Sequence, residues 1–369
     1  MNHLRRSMQS TLEDPEEWQD VESGMSELSL VGRAMLARLF GKELPRFLDI
    51  FDDLFPDAGY HSEFPPSIQL ISEVDTVIPL EFFPVFRYGD KSAKISDERT
   101  LFEEASRFPG IAANVRRHIS DGPVAQLPLR QVGRVCVPVL TDANELAVTL
   151  FRNVALEKID KEIDKFHSYG SRLAVRGPWP GGRVVDRDGI LAEILCGISG
   201  MGKRWPDMLH FACHCQTGPD IPTDVTIRLS GERQDVDVRL MHLEERSGQL
   251  LVSQPLAAGR SKNLPLVFLN ACSSAVAEPM TGASLPAFFL RNGYIGFVGT
   301  EAAVPDRVAA AFSGMFYREF LGGQSLGQSI LQAKRAILAG YRNPLGILYT
   351  TYADGDIYVE KPEEEDSSG

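Results

Sequence analysis

The stretches DMLHFACH, residues 207–214, and LPLVFLNAC, residues 264–272, decide the fold that this sequence predicts. Both are short and almost continuously apolar, as expected of strands that are buried on both faces of a parallel sheet. Strands and helices that alternate along the chain predict an α/β fold, a mostly parallel sheet with helices on both faces. Further strands are expected at 132–141, 171–177 and 294–300, polar inserted strands at 226–231 and 235–245, and helices at 150–170, 186–198, 283–292 and 306–323.

The N-terminal region shows a different pattern. Apolar residues at spacings of three and four predict amphipathic helices at 28–41 and 43–55, broken near Pro45. The short apolar runs 67–72 and 77–87 flank a turn-prone EVDT, which predicts a hairpin or a strand entering a helix.

Composition indicates a folded chain. Of 369 residues, 43% are hydrophobic and 24% charged, close to the average of globular proteins. The net charge of -12 argues against a broad nucleic-acid or anionic-membrane surface, because both need a positive field. The sequence has neither a signal-peptide core nor a run of eighteen apolar residues, so a cytoplasmic protein is expected.

The two ends of the chain are rich in acidic residues. Residues 1–28 contain seven Asp or Glu against two Arg, which predicts a flexible acidic leader, and residues 360–369 predict an acidic tail. The folded part is therefore expected to span 29–359. An odd set of cysteines in a reducing compartment predicts free thiols, at Cys136, Cys196, Cys213, Cys215 and Cys272.

Two of the predicted strands end in reactive side chains. The first ends at His214 and the second at Cys272, 58 residues later. Active sites of open α/β sheets gather beyond the carboxyl ends of the strands. An imidazole that accepts the thiol proton converts cysteine into a usable nucleophile, so the pair suits acyl transfer.

The segments HFACHC, residues 210–215, and LVFLNACSS, residues 266–274, resemble the two catalytic blocks of CHAT domains, members of the caspase/separase clan of cysteine peptidases. The segment VGTEAAVPDRVAAAFSGMFYREFLGGQSLGQSILQAKRAIL, residues 298–338, is similar to the family's block after the nucleophile. Upstream, VIPLEFFPV resembles a block of the family's first half. The resemblance spans about residues 30–359.

The resemblance implies a caspase-like three-layer sandwich, with a non-catalytic, pseudo-caspase half at 29–185 and a catalytic half at 186–359. It implies His214 as general base and acid, Cys272 as nucleophile, and the backbone N–H groups of Cys272 and Cys215 as the oxyanion hole. The family usually has Gly after the catalytic His, so Cys215 departs from the pattern. The clan also implies a protein substrate and control by a regulatory partner or oligomer, with no cofactor.

Acidic residues near the predicted strand ends suggest the specificity. Glu301 and Asp306 follow the strand 294–300, and Asp220 follows His214. Carboxylates in these loops predict cleavage after Lys or Arg, consistent with the arginine-directed branch of the clan. Asp306 is equally explained as the cap of the helix that starts there.

Four other interpretations bear on these residues and on the fold. His210 is explained best as a core or supporting histidine on the same strand face as His214. A metal site built from His210, Cys213, His214 and Cys215 is disfavoured because neighbouring strand residues face opposite sides. A nucleotide-binding fold lacks its glycine-rich motif. A catalytically silent CHAT-type scaffold that binds proteins remains the alternative to a protease.

Overall fold

The structure is a computed structural model that describes most of the chain in twelve segments. Among the helices of those segments, none combines the length and the apolar character that crossing a membrane requires. The described residues are 18–73, 78–89, 94–120, 146–153, 159–179, 186–195, 206–217, 225–230, 234–253, 264–271, 284–353 and 355–359.

The described part of the N-terminal region contains four α-helices and a parallel pair of strands. Its elements are α1 (Trp18–Phe40), α2 (Leu44–Leu54), β1 (Ser67–Glu73), a 3₁₀ turn (Leu80–Phe82), α3 (Glu98–Ala105), α4 (Pro109–Ala112) and β2 (Asn114–Ser120). The two helices predicted on either side of Pro45 are thus confirmed, with a 3₁₀ turn at Gly41–Glu43 between them.

Of the two alternatives for residues 67–87, the hairpin is wrong, and a strand followed by helical structure is nearer to what the structure shows. Strand β1 pairs in parallel with β2, from Ser67 opposite Asn114 onward, and the apolar run 77–87 does not extend it. That run contains Pro79 and Pro84, which have no N–H to donate to a strand ladder. Its described part forms the 3₁₀ turn instead.

The predicted leader is wrong for residues 18–28, which are helical. Helix α1 buries Val21, Met25 and Leu28, each at 0–1% exposure. These residues recur at spacings of four and three, so they share one helix face, and the acidic residues take the other positions. The acidic composition of this segment suggested a flexible leader, although its apolar residues form one face of an amphipathic helix. The rest of the predicted leader, residues 1–17, lies outside the described residues, as does the predicted tail 360–369.

A second region forms the central sheet and its helices. Its elements are β3 (Leu146–Arg152), α5 (Ile159–Ser168), β4 (Leu173–Trp179), α6 (Arg187–Ile194), β5 (Met208–Ala212), β6 (His214–Thr217), β7 (Val225–Ser230), β8 (Asp235–Arg239), α7 (Leu240–Ser253), β9 (Leu264–Asn270), α8 (Leu285–Arg291), β10 (Tyr294–Thr300), α9 (Asp306–Leu321), α10 (Leu326–Tyr341) and β11 (Tyr349–Ala353).

The central sheet has six strands in the order β11-β10-β9-β5-β3-β4, and only β11 is antiparallel to its neighbour. Strands β6, β7 and β8 form a small antiparallel sheet, which confirms the predicted insertion of strands. The predicted strand 235–245 is wrong from Leu240 onward, because α7 begins there. Because β3 and β4 lie in the same sheet as β5, the expected boundary at 185/186 separates two parts of one sheet.

One predicted helix is wrong in part. Residues 150–152 belong to β3, and within the described part of the predicted helix 150–170 the helix α5 is Ile159–Ser168. β-Branched and aromatic residues favour the strand in Leu146–Arg152. The predicted strand 132–141 lies outside the described residues.

Side chains that alternate along the strands fill two cores, one on each face of the sheet. On β5, Met208 and Ala212 enter one core, and Leu209 and Phe211 enter the other. The first core is closed by α5 and α9, and the second by α6, α8 and the small sheet. The predicted three-layer sandwich around a mostly parallel sheet is therefore confirmed.

A buried ion cluster joins the N-terminal region to the central sheet. Arg117 of β2 binds Glu81 at 2.8 Å and Glu301 at 2.6 Å, and it donates to the Tyr352 hydroxyl at 2.9 Å. Burial alone would lower the pKa of Arg117, but Glu81, Tyr352 and Glu301 together raise it well above its ordinary value. Burial lowers the pKa of nearby Lys334 to about 8, against a smaller opposing effect of Glu81.

The helical assignment of residues 18–28 can be tested with Met25→Ala. Removing a fully buried Met side chain is expected to cost about 2–5 kcal/mol of unfolding free energy, since it leaves a cavity. Leu30→Ala is the matched control because Leu30 is 70% exposed on the same helix. Urea unfolding measures both variants. Equal and small losses of unfolding free energy in the two variants would contradict the helix and support the flexible leader.

The buried Lys334 predicts a pH dependence of stability. Its folded pKa of about 8 lies below its ordinary value of 10.5. The unfolded chain therefore binds more protons between pH 8 and 10.5, and stability rises with pH in that window. We expect wild type to gain about 3 kcal/mol relative to Lys334→Met across it. The unfolding free energies of both proteins at a series of pH values give the difference. The titration of tyrosines cancels in this difference, because both proteins contain the same tyrosines. A flat difference contradicts the prediction.

Candidate functional site

His214 lies directly beyond the carboxyl end of a buried strand. The predicted strand 207–214 ends at Ala212, and after a bend at Cys213 the chain enters the small sheet as β6. His214 is the first residue of β6 and is partly exposed. The bend moves His214 out of the apolar sheet that holds β5, so the imidazole reaches solvent.

The parallel pairing of β5 and β9 brings the ends of both strands to one edge of the sheet. Ala212 lies opposite Asn270, and the Cys213 N–H donates to the Asn270 carbonyl at 3.5 Å. Ala271, which precedes Cys272 in the chain, is 6% exposed. Cys272 itself lies outside the described residues, so its predicted role as nucleophile stays a prediction.

The departure from glycine at Cys215 is accommodated by packing. The Cys215 side chain is 6% exposed and lies in the second core, and Cys215 pairs with Ile227 across β6 and β7. A side chain at this position therefore points into the protein without occupying the solvent side. The predicted oxyanion role of its N–H stays a prediction.

Asn270 is the centre of a buried set of hydrogen bonds at the end of β9. Its Nδ2 donates to Glu162 Oε1 at 2.9 Å and to the Ala309 carbonyl at 3.1 Å. Its Oδ1 accepts from the Tyr349 hydroxyl at 2.6 Å. These bonds connect β9 to α5, α9 and β11, which fixes the backbone two residues before Cys272.

His210 extends the same set of hydrogen bonds and is fully buried, as predicted for a core or supporting histidine. Its Nε2 lies 2.9 Å from Glu162 Oε1, and its Nδ1 lies 3.2 Å from the Tyr317 hydroxyl. Burial raises the pKa of Tyr317 well above its ordinary value, with Glu162 adding to the shift. The Tyr317 hydroxyl thus stays protonated and can donate a hydrogen bond to Nδ1. In that tautomer the ring hydrogen is on Nε2, and the Nε2–H donates a hydrogen bond to Glu162.

The Thr300 side chain holds the residue that precedes Cys272. Its hydroxyl donates to the Ala271 carbonyl at 2.6 Å, and Thr300 is 1% exposed. No sequence motif marks Thr300, Glu162 or Tyr349 as part of the site. The signals in the sequence were the Gly299-Thr300 pair within the segment 298–338 that resembles the family, and the position of Asn270 next to Ala271 and Cys272.

The charges beside His214 are largely paired. Arg228 lies opposite His214 across β6 and β7, and it binds Asp237 of β8 through two bonds of 2.8 and 3.0 Å. The hydrogen bond from Arg228 lowers the pKa of Asp237, so the carboxylate stays charged. This pair presents little net charge to the imidazole.

The two predicted specificity residues that the structure describes, Glu301 and Asp306, have different surroundings. Glu301 is 4% exposed and its carboxylate binds Arg117, so it serves the buried ion cluster. Asp306 is the partly exposed first residue of α9, where a carboxylate favours the helix N-terminus. Asp220 lies outside the described residues. Within the described segments, no group of three or more His, Cys, Asp or Glu side chains is placed to hold a metal.

Comparison with known families decides the identity of this arrangement. The model of the CHAT domain matches residues 139–355, more than half of the chain. The protein belongs to the CHAT domain family. The match includes β3, β5 and β9 with His214 and Cys272, so the strand ends described above are those of a CHAT domain.

This CHAT domain is also similar to individual proteins. It is 34% identical over 106 residues to a probable protease of Vitiosangium sp. (strain GDMCC 1.1324), and the match covers 28% of this chain and 14% of that protein. The Arg-specific cysteine proteinase gingipain R is 9% identical with a TM-score of 0.48, over 85% of this chain and 68% of the other. Separase of Saccharomyces cerevisiae, solved with securin, is 12% identical with a TM-score of 0.39, over 77% and 19%.

The buried contacts of Asn270 predict a measurable loss in Tyr349→Phe. The variant keeps the ring but leaves Asn270 Oδ1 without this donor, which is expected to cost about 1–3 kcal/mol of unfolding free energy. Tyr341→Phe serves as the control, since Tyr341 is 37% exposed. Chemical denaturation compares the two. A loss in Tyr349→Phe no larger than in the control would contradict a structural role of this hydrogen bond.

Proposed function

We propose that this CHAT domain is a cysteine endopeptidase in which Cys272 is the nucleophile and His214 the acid/base group. One observation carries the proposal. Ala212 and Asn270 are the last paired residues of β5 and β9, and the two catalytic candidates each stand two positions beyond that pair. Neighbouring parallel strands thus end at the same edge of the sheet, which supports the pairing of the two side chains.

The proposed reaction proceeds through a thioester. His214 takes the proton from the Cys272 thiol, and the sulfur attacks the substrate carbonyl carbon while the carbonyl electrons move onto oxygen. As the oxyanion collapses, the C–N bond breaks and the amine leaves with the proton from His214. Water then gives a proton to His214 and attacks the thioester, which releases the acid product and returns the proton to the thiolate.

The two proposed oxyanion donors are the backbone N–H groups of Cys272 and Cys215. Donors held rigidly in a site shielded from water stabilise the developing charge more strongly than water does. The buried side chain of Cys215 and the anchored backbone at Asn270 and Ala271 support such rigidity.

The proposal extends to specificity and control. Cleavage after Lys or Arg would rest on Asp220 and Asp306, since Glu301 is engaged by Arg117. The relative named a probable protease supports peptide hydrolysis, although the matched segment is a small part of that protein. A regulatory partner or oligomer that orders the site is part of the same proposal.

The alternative is a CHAT-type scaffold that binds proteins without cleaving them. The observation in its favour is Cys215 in place of the glycine that usually follows the catalytic histidine. A side chain narrows the backbone conformations through which this N–H can turn toward an oxyanion.

Labelling and cleavage distinguish the two functions. Iodoacetamide should modify Cys272 faster than the buried Cys213 and Cys215, and His214→Ala should lower kcat/KM by at least about 100-fold. Proteome-wide labelling of new N-termini with wild type and Cys272→Ala reports substrates and the residue before each cut. Exposed His167→Ala is the control.

Cleavage that persists in Cys272→Ala would refute the proposed nucleophile. A wild type that generates no new N-termini would favour the scaffold. New N-termini that follow residues other than Lys or Arg would overturn only the basic specificity.

A further inference from the structure

The structure points to Thr300 as a positioning residue for the oxyanion hole, acting through the carbonyl of Ala271. This inference rests on the proposed function, because it assigns a role to the N–H of Cys272 in acyl transfer. It adds a residue from a different strand to the site and names the step at which that residue acts.

The evidence is one short hydrogen bond in a dry environment. Thr300 Oγ1 donates to the Ala271 oxygen at 2.6 Å, with Thr300 1% and Ala271 6% exposed. Buried hydrogen bonds are not exchanged for water, so this carbonyl has a defined direction.

The geometry of the peptide bond transmits that direction to the next residue. A trans peptide is planar, and its C=O and N–H point to opposite sides of the chain. The carbonyl of Ala271 and the N–H of Cys272 belong to the same peptide unit. For a trans peptide, a carbonyl oxygen held toward Thr300 would turn the N–H of the same peptide unit to the opposite side, and the inferred role of Thr300 rests on this step.

The donor is itself held on both sides. Thr300 pairs with Tyr349 across β10 and β11, and the Tyr349 hydroxyl reaches Asn270, the residue before Ala271. After Thr300, the Glu301 N–H donates to the Leu348 carbonyl at 3.0 Å, and the Glu301 carboxylate binds Arg117. Thr300 is thus part of a framework that can orient a peptide unit without being reoriented by it.

The role predicted for Thr300 separates two properties of the enzyme. An oxyanion donor stabilises the charge that develops on the substrate oxygen. It contributes nothing to alkylation of the thiolate by iodoacetamide, in which no oxyanion forms. Loss of the Thr300 hydroxyl should therefore slow peptide cleavage while the thiol keeps its reactivity.

The test uses the full chain and Thr300→Val, which keeps the branched shape and removes the donor. We expect kcat to fall by about 10-fold to 100-fold, KM to change little, and the iodoacetamide rate at Cys272 to match wild type. A peptide aldehyde with the sequence before the wild-type cleavage site adds to the thiol as a tetrahedral thiohemiacetal, whose oxygen takes the position of the oxyanion. Its affinity should fall by the same factor as kcat/KM.

Two further variants separate positioning from folding. Thr300→Ser retains the hydroxyl and should recover most of kcat. Thr350→Val is the matched control, because Thr350 lies opposite Gly299 on β11, is fully buried, and has a hydroxyl with no hydrogen-bond partner among the described residues. Its kcat should stay at the wild-type value.

The outcomes distinguish this inference from the proposed function. If wild type neither cleaves protein nor is labelled at Cys272, the proposed function is wrong and this inference with it. If wild type cleaves and Thr300→Val cleaves equally well, only the role of Thr300 is wrong. A Thr300→Val variant that loses cleavage and alkylation in parallel, or that Thr300→Ser does not rescue, would show a structural role and overturn the positioning role.

Discussion

The parallel pairing of β5 with β9 is the constraint on which the site depends. Residues on two buried strands can be brought to one sheet edge only if the strands share direction and register, and burial on both faces makes a slip costly. A shift by one residue would exchange the two cores, since Leu209 and Phe211 face one and Met208 and Ala212 the other. The hydrophobic pattern of the two strands thereby also determines which residues emerge together beyond their ends.

Polar groups in this core have a different role from the apolar ones. An amide, a carboxylate, an imidazole and two phenols are removed from water around Asn270, and each would be costly without a partner. Because nearly every alternative arrangement would leave one of them unsatisfied, the set favours a single backbone path at the end of β9. Apolar packing supplies stability here, and the polar contacts make the geometry unique.

The sequence was sufficient for features that depend on local pattern and insufficient for those that depend on distant pairing. Strands β5, β9 and β10 were predictable because continuous apolar runs are visible within a few residues. The partner of β1 was not, since the parallel pairing with β2 joins residues that are 47 positions apart in the chain. The same holds for Glu162 and Tyr349, which lie 108 and 79 residues from Asn270 and have no local signature. Helix α1 was missed for its first eleven residues because the acidic composition of that segment was taken as the signal. The spacing of Val21, Met25 and Leu28 by four and three residues predicts the helix.

The cluster around Arg117 makes the two regions of the chain mutually dependent. A fragment that lacked β2 would retain Glu301 as an interior anion with its counter-ion removed, a state that proteins avoid by unfolding or by taking up a proton. The N-terminal region likewise contains Glu81, which is completely buried and also binds Arg117. Arg117 is therefore the counter-ion of one buried carboxylate from each region. The N-terminal region is therefore an integral part of the folded unit that contains the central sheet.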